Sequence, residues 1–132
     1  ERLVHEQAAQ LQANGRPVTI RGYLDRQEVT DLLTWADYII LPSRIESIPV
    51  IFSDALQTQC PLIACPIGDL PRIMQNNHIG ILAFAVTPEA IFTAIRQALH
   101  TPPIIYEHGI NNLAKEFKIE NSVLQLLRYF RN

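Results

Sequence analysis

Two short apolar runs do most to limit what this chain can fold into. Ala36-Asp-Tyr-Ile-Ile-Leu41 is stopped by Pro42, and Leu62-Ile-Ala-Cys65 is framed by Pro61 and Pro66. Unbroken runs of this length suit strands buried on both faces of a parallel sheet rather than half-solvated antiparallel strands. The segments around them read as helices. Leu3, Val4, Ala8 and Leu11 stand close to helical spacing, and Asn14-Gly15 supplies a left-handed stop. Asp25 with Glu28 three residues on forms a capping box ahead of Val29, Leu32, Leu33 and Trp35. Trp35 is expected on the core side of that helix.

Between these helices, Pro17-Val-Thr-Ile-Arg-Gly-Tyr23 is β-branched and closed by Gly22, which predicts a strand near 18–22. Pro49 fits a first helical position, and Val50, Phe52, Ala55 and Leu56 continue the helical period through Thr58. A short helix is expected from Gly68-Asp-Leu-Pro71 to about Asn76, a strand over Gly80–Phe84 and a helix over Pro88–Leu99. Two further helical stretches, 104–116 and 120–130, finish the chain. Strand and helix alternate, so the fold class is α/β, a Rossmann-like parallel sheet flanked by helices.

Composition removes several functions. The 132 residues suit one domain, and 48% hydrophobic content supplies a core. Net charge is −2 and the arginines are scattered, so the basic stripe that nucleic acid requires is missing. Cys60 and Cys65 lack zinc-site spacing and read as buried, reduced thiols. The four histidines, His5, His78, His100 and His108, are dispersed, and no metal is expected. The sequence holds no apolar run of about 18 residues, nor a basic-then-apolar leader. A cytoplasmic setting follows, with the intact protein free or peripheral at a membrane. The first residue is Glu1 rather than methionine, which suggests a piece of a longer polypeptide.

The stretch P-S-R-I-E-S-I-P-V-I-F-S-D, residues 42–54, joins an expected strand end to an expected helix start and carries Glu46 and Asp54. In open α/β sheets, ligands gather beyond the carboxyl ends of the strands. A helix start there favours phosphate or pyrophosphate. Glu46 would sit just before that start and Asp54 about a turn and a half inside it, roughly 8 Å further along at 1.5 Å per residue, so the two cannot share one atom. Carboxylates with two acceptor oxygens match vicinal diols, and a nucleotide-sugar carries one on each side of its pyrophosphate. The plainer alternative is that both only complement the helix dipole, worth about 0.3–1 kcal/mol.

The residues A-D-Y-I-I-L-P-S-R-I-E-S-I-P-V-I-F-S-D-A-L, followed by C-P-L-I-A and G-D-L-P, resemble the group 1 glycosyltransferases. The resemblance runs over nearly the whole chain. It implies a retaining enzyme of GT-B architecture, with residues 1–132 forming a partial C-terminal, donor-binding domain. Missing from it would be the first strand-helix-strand part, with its Arg and Lys pair, and the N-terminal acceptor domain with its catalytic histidine. Glu46 would then bind hydroxyls of the transferred sugar, and Asp54 the ribose diol. Backbone N–H groups near Ile48, Val50 and Ile51 would face the sugar and diphosphate. Tyr23 and Leu24 would hold the nucleobase, with Ser43 beside the donor. The resemblance implies no cofactor beyond the nucleotide-diphosphate-sugar substrate, and a carbohydrate or lipid-linked acceptor reached through the absent domain. Alone, the 132 residues would transfer no sugar.

The sequence departs from the family at several places. Asp54 and Ser47-Ile48-Pro49 replace a Glu and a glycine-containing turn, and Pro49 removes one amide donor. Gln59 and Asp69 stand where the family has glycines, and Arg72 where it has Glu. A non-catalytic Rossmann-like binding or interaction module is the alternative that these departures leave. The family's strand order also implies that strands near 18–22 and 38–41 are not neighbours, while those near 38, 62 and 80 form one ladder. Sheet edges left open this way invite chain–chain association.

Overall fold

A computed structural model describes residues 2–118, 123 and 126–130. Of the expected helix over 120–130, residues 123 and 126–129 are helical and 130 is a turn, and the remaining positions lie outside the described residues. Helix α1 (Arg2–Ala13) ends in a Schellman motif: Gly15 takes φ +71°, while the N–H groups of Gly15 and Arg16 donate to the carbonyls of Gln12 and Leu11. Helix α2 (Arg26–Trp35) opens on the capping box. Asp25 Oδ1 accepts from the Glu28 N–H at 2.9 Å, and Glu28 Oε2 accepts from the Asp25 N–H at 2.9 Å.

Three parallel strands follow, β1 (Ile39–Leu41), β2 (Leu62–Ala64) and β3 (Gly80–Leu82), in the order β1-β2-β3. Helices α3 (Ile51–Gln57) and α4 (Leu70–Asn77) make the crossovers, and α5 (Pro88–Ala98) lies against β2 and β3. A 3-10 turn (Pro103–Tyr106) leads into α6 (Glu107–Glu116), which packs on α3 and α4. The register sets Ile40 opposite Ile63 and Ile63 opposite Ile81. All three residues of β2 are buried, as the apolar run requires of a strand covered on both faces. Phe52, Leu56, Leu70, Ile79 and Ile110 fill the core around it, and no polar or charged described residue is buried.

Three expectations are corrected. Residues 16–25 form no strand; Val18 N–H donates to the Arg16 carbonyl, and the Val18 carbonyl accepts from Gln12 Nε2 at 2.7 Å. A β-branched sequence becomes a strand only beside a partner, and none of the described strands lies next to it. No backbone bond joins this segment to β1, so the two are not neighbours, as expected. Trp35 is not a core residue: it is 82% exposed, while Leu33 and Val29 carry the packing. At about 100° per residue, Trp35 points roughly 200° around the helix from Leu33. Pro49 stands two residues ahead of α3 rather than at its first position, and its carbonyl accepts from the Phe52 N–H.

Gly80 adopts φ +155° where β3 meets β2, and a methyl group there would run into the backbone of Leu62. Gly80→Ala should therefore lower stability by about 2–4 kcal/mol through strain and displaced pairing, read as a lower urea midpoint.

Candidate functional site

The carboxyl ends of β1 and β2 lead into two loops that touch. Pro42–Pro49 follows β1, and Cys65–Asp69 follows β2. Gly68, at φ +51°, lies so close to this first loop that a methyl group would overlap the Glu46 and Ser47 carbonyls. Asp69 N–H points at the Ser47 carbonyl at 3.4 Å, a long contact that adds little by itself. Glycine is needed here on two counts, its left-handed conformation and the close backbone approach. The backbone carrying Glu46 is thus braced by the second loop. Sequence reasoning did not assign Gly68 this role, although its place ahead of Asp-Leu-Pro was the available signal.

Glu46 is exposed on this loop, and Asp54 is half-buried in the first turn of α3. Neither forms an ion pair among the described residues. Pro49 is buried and has no N–H, so its burial leaves no orphan donor. The N–H groups of Ile48, Val50 and Ile51 have no backbone acceptor among the described residues, leaving three donors at the helix entry. Ile48 and Val50 side chains are exposed, Ile51 and Ser43 are half-buried, and Leu24 is half-buried in the segment ahead of α2. Tyr23 is 96% exposed. The structure gathers Ser43, Glu46, Ile48, Val50, Ile51 and Asp54 on one loop and helix start, and carries Tyr23 and Leu24 on a separate segment. Leu24 lines a cleft with Arg21, Glu28 and Trp35 that includes none of the others.

Two departures from the family pattern turn out to be partners. Arg72 Nη2 lies 3.4 Å from Asp69 Oδ1 at the start of α4, so the added anion stands beside an added cation. Both side chains are largely in water, where such a pair is worth little in stability, but it offsets the local charge. Gln59 solves its missing glycine by taking φ +62°. Its N–H donates to the Leu56 carbonyl and Cys60 N–H to the Ala55 carbonyl, a complete Schellman motif.

Cys65 closes β2 and lines a cleft of about 270 Å³ with Pro42, Arg44, Val86, Thr87 and Ile91. Burial pushes its thiol up from the ordinary value. Burial likewise pushes Cys60 up to about 11, against a weaker lowering from the backbone near Ile39. Neither has the thiolate character of a nucleophile. Among the described residues, no group of His, Cys, Asp and Glu is arranged to hold a metal ion, and no helix is long and apolar enough to cross a membrane.

A parallel α/β sheet with acidic and amide groups at its carboxyl end defines a Rossmann-like class of domain. The family described as glycosyl transferases group 1 matches residues 2–101, and the chain belongs to that family. It is 20% identical over 87 residues to alpha-D-kanosaminyltransferase of Streptomyces kanamyceticus, covering 66% of this chain and 22% of that protein. With the sulfoquinovosyl transferase of Arabidopsis thaliana the identity is 26% over 89 residues, covering 65% and 18%. With glycogen synthase of Mycobacterium tuberculosis it is 30% over 81 residues, covering 61% and 20%. The chain thus spans about a fifth of the length of these relatives. Its fold matches sucrose-phosphate synthase from Thermosynechococcus elongatus with a TM-score of 0.77 at 22% identity, over 98% of this chain and 33% of that one.

The thiols give a test of the core beneath the site. A pKa raised on folding supports the fold below the unfolded value and loses that support as pH climbs toward the folded one. The urea midpoint should therefore decline between pH 9.0 and about 11, and Cys60→Ala should lessen the decline.

Proposed function

We propose that this chain is the donor-binding half of a retaining, metal-independent glycosyltransferase that moves a sugar from a nucleotide diphosphate to an acceptor. The observation that carries the reading is the braced loop. Glu46 sits on a loop in close backbone contact with Gly68, two residues ahead of the first of three amides that have no backbone acceptor among the described residues, and eight residues before Asp54. A diphosphate over the Ile48–Ile51 amides would place diols on either side, within reach of two carboxylates that cannot share an atom.

In this reading Glu46 accepts hydrogen bonds from sugar hydroxyls, Asp54 accepts from the ribose diol, and the amides stabilise charge growing on the leaving diphosphate. Ser43 lies beside the donor, and Tyr23 and Leu24 approach the base from the segment ahead of α2. Pro49 lowers the number of available donors by one, while the Asp69–Arg72 contact keeps Asp69 from repelling the diphosphate in full. The acceptor, carbohydrate or lipid-linked, and the cationic pair belong to parts of the protein outside residues 1–132. Sugar transfer is therefore an activity of the intact polypeptide.

Titration of the intact protein with UDP and with GDP should show saturable binding of one of them, and binding of neither would favour a non-catalytic module. Glu46→Ala should slow transfer by about 10²-fold or more with a smaller change in nucleotide affinity, because its contact strengthens as charge develops. Asp54→Ala should mainly weaken nucleotide binding, by roughly tenfold, as a lost hydrogen-bonded charge does. Wild-type kinetics in both variants would reject the assignment.

A further inference from the structure

We propose that the groove between α3 and α6 is a binding site for a small organic phosphate, separate from the loop of Glu46. Its volume is about 1010 Å³, and its charged lining is Arg26, from the start of α2, with Lys115 and Lys118 at the end of α6. These include both lysines of the 132 residues, in a chain whose net charge is −2. No carboxylate is among the residues that line the groove. The cleft at Leu24, by contrast, sets Arg21 against Glu28 and Asp31.

Helix dipoles account for only part of this arrangement. Lys115 complements the carboxyl end of α6, but Arg26 stands in the first turn of α2, where a cation works against the dipole. Neither Arg26 nor Lys118 is in an ion pair among the described residues. The nearest carboxylates in sequence to Arg26, those of Asp25 and Glu28, are engaged in the capping box of α2. Lys115 already interacts within the protein, so Arg26 and Lys118 are the cations open to a ligand. Like charges gathered from two separate elements repel one another unless an anion lies between them.

The neutral lining supplies hydrogen-bond donors. Asn111, Lys115 and Lys118 recur at helical spacing along α6 and just past its end, and Ser53 and Gln57 stand four apart on α3 across the groove. Gln57 Nε2 donates to Ser53 Oγ at 3.3 Å, which leaves Gln57 a second N–H and Ser53 its hydroxyl hydrogen. The Asn111 amide has no partner among the described residues. A phosphate dianion, with its several terminal oxygens, matches a guanidinium fork, an ammonium and neutral donors together, where one carboxylate would use fewer of them. The groove is larger than a phosphate group alone. Phe117, whose ring lies 5.4 Å from that of Phe52, gives it an apolar wall for the organic part of the ligand. Ser53 adjoins Asp54 in sequence but lies about 100° around α3 from it, and neither Glu46 nor Asp54 lines the groove. The two sites are thus neighbours that share no residue, and the phosphate site stands whether or not the donor reading does.

The test uses the intact polypeptide at about pH 8, where a phosphate monoester is doubly charged, and follows acetylation of Lys118 by mass spectrometry. Phenyl phosphate at about 10 mM should slow this acetylation by about threefold or more relative to sodium chloride of equal ionic strength, as for a site with a Kd of about 1 mM. Combining Arg26→Gln with Asn111→Ala, both at exposed positions, should abolish the protection and leave the circular dichroism unchanged. Equal acetylation in phenyl phosphate and in chloride would overturn the proposal. So would protection that persists in the double variant, or protection that saturating UDP or GDP removes, since the phosphate would then occupy the nucleotide's own site. Protection by phosphatidylglycerol vesicles and not by phenyl phosphate would make the groove a membrane contact and overturn it as well. Should the double variant not fold, the wild-type comparisons decide alone.

Discussion

The central strand β2 is the constraint on which the rest depends. Leu62, Ile63 and Ala64 are buried on both faces and hydrogen-bonded on both edges, so neither water nor an alternative partner competes for them. With no polar described residue buried around it, the core has no internal hydrogen-bond network to satisfy, and packing alone sets the positions of α3, α4 and α6. Once β2 is fixed, the carboxyl ends of β1 and β2 are fixed too. The loops that leave them must then pass within backbone contact, which is why one of them carries glycine at position 68.

That contact links fold to chemistry. Carboxylates on a free loop would lose conformational entropy on meeting a ligand, whereas a braced Glu46 has lost part of it on folding. The departures from the family pattern follow the same economy of local repair. Gln59 keeps the helix end by accepting a left-handed backbone, at a cost of about 1–2 kcal/mol. Asp69 and Arg72 change together and leave the local charge nearly as it would be without either. Pro49 has no such offset, since its missing amide is one donor fewer at the helix entry.

The described sheet is asymmetric. On the β3 side, Ile79 and Ile81 of the strand region and Ile110 of α6 are all buried. On the β1 side, α1 buries only Ala8 while Leu3, Val4 and Leu11 are exposed, and the adjoining residues 16–25 pair with none of the described strands. The part of the chain after residue 36 therefore holds most of the core, and the part before it is attached mainly through α2.

Sequence alone determined the features whose physics is local or repeats along the chain. The capping box at Asp25, the left-handed stop at Gly15 and the doubly buried strands around residues 40 and 63 each depend on residues a few positions apart or on a continuous apolar run. Family membership was legible in the spacing of Glu46 and Asp54 with their flanks. Whether residues 18–22 become a strand was not legible, because strand formation requires a neighbour supplied by tertiary structure. Trp35 shared the apolar spacing of its helix yet faced outward, since only the position of the sheet says which side of a helix is inside. Tertiary structure alone brought Gly68 against Glu46, joining residues of two loops that the sequence separates by a helix and a strand.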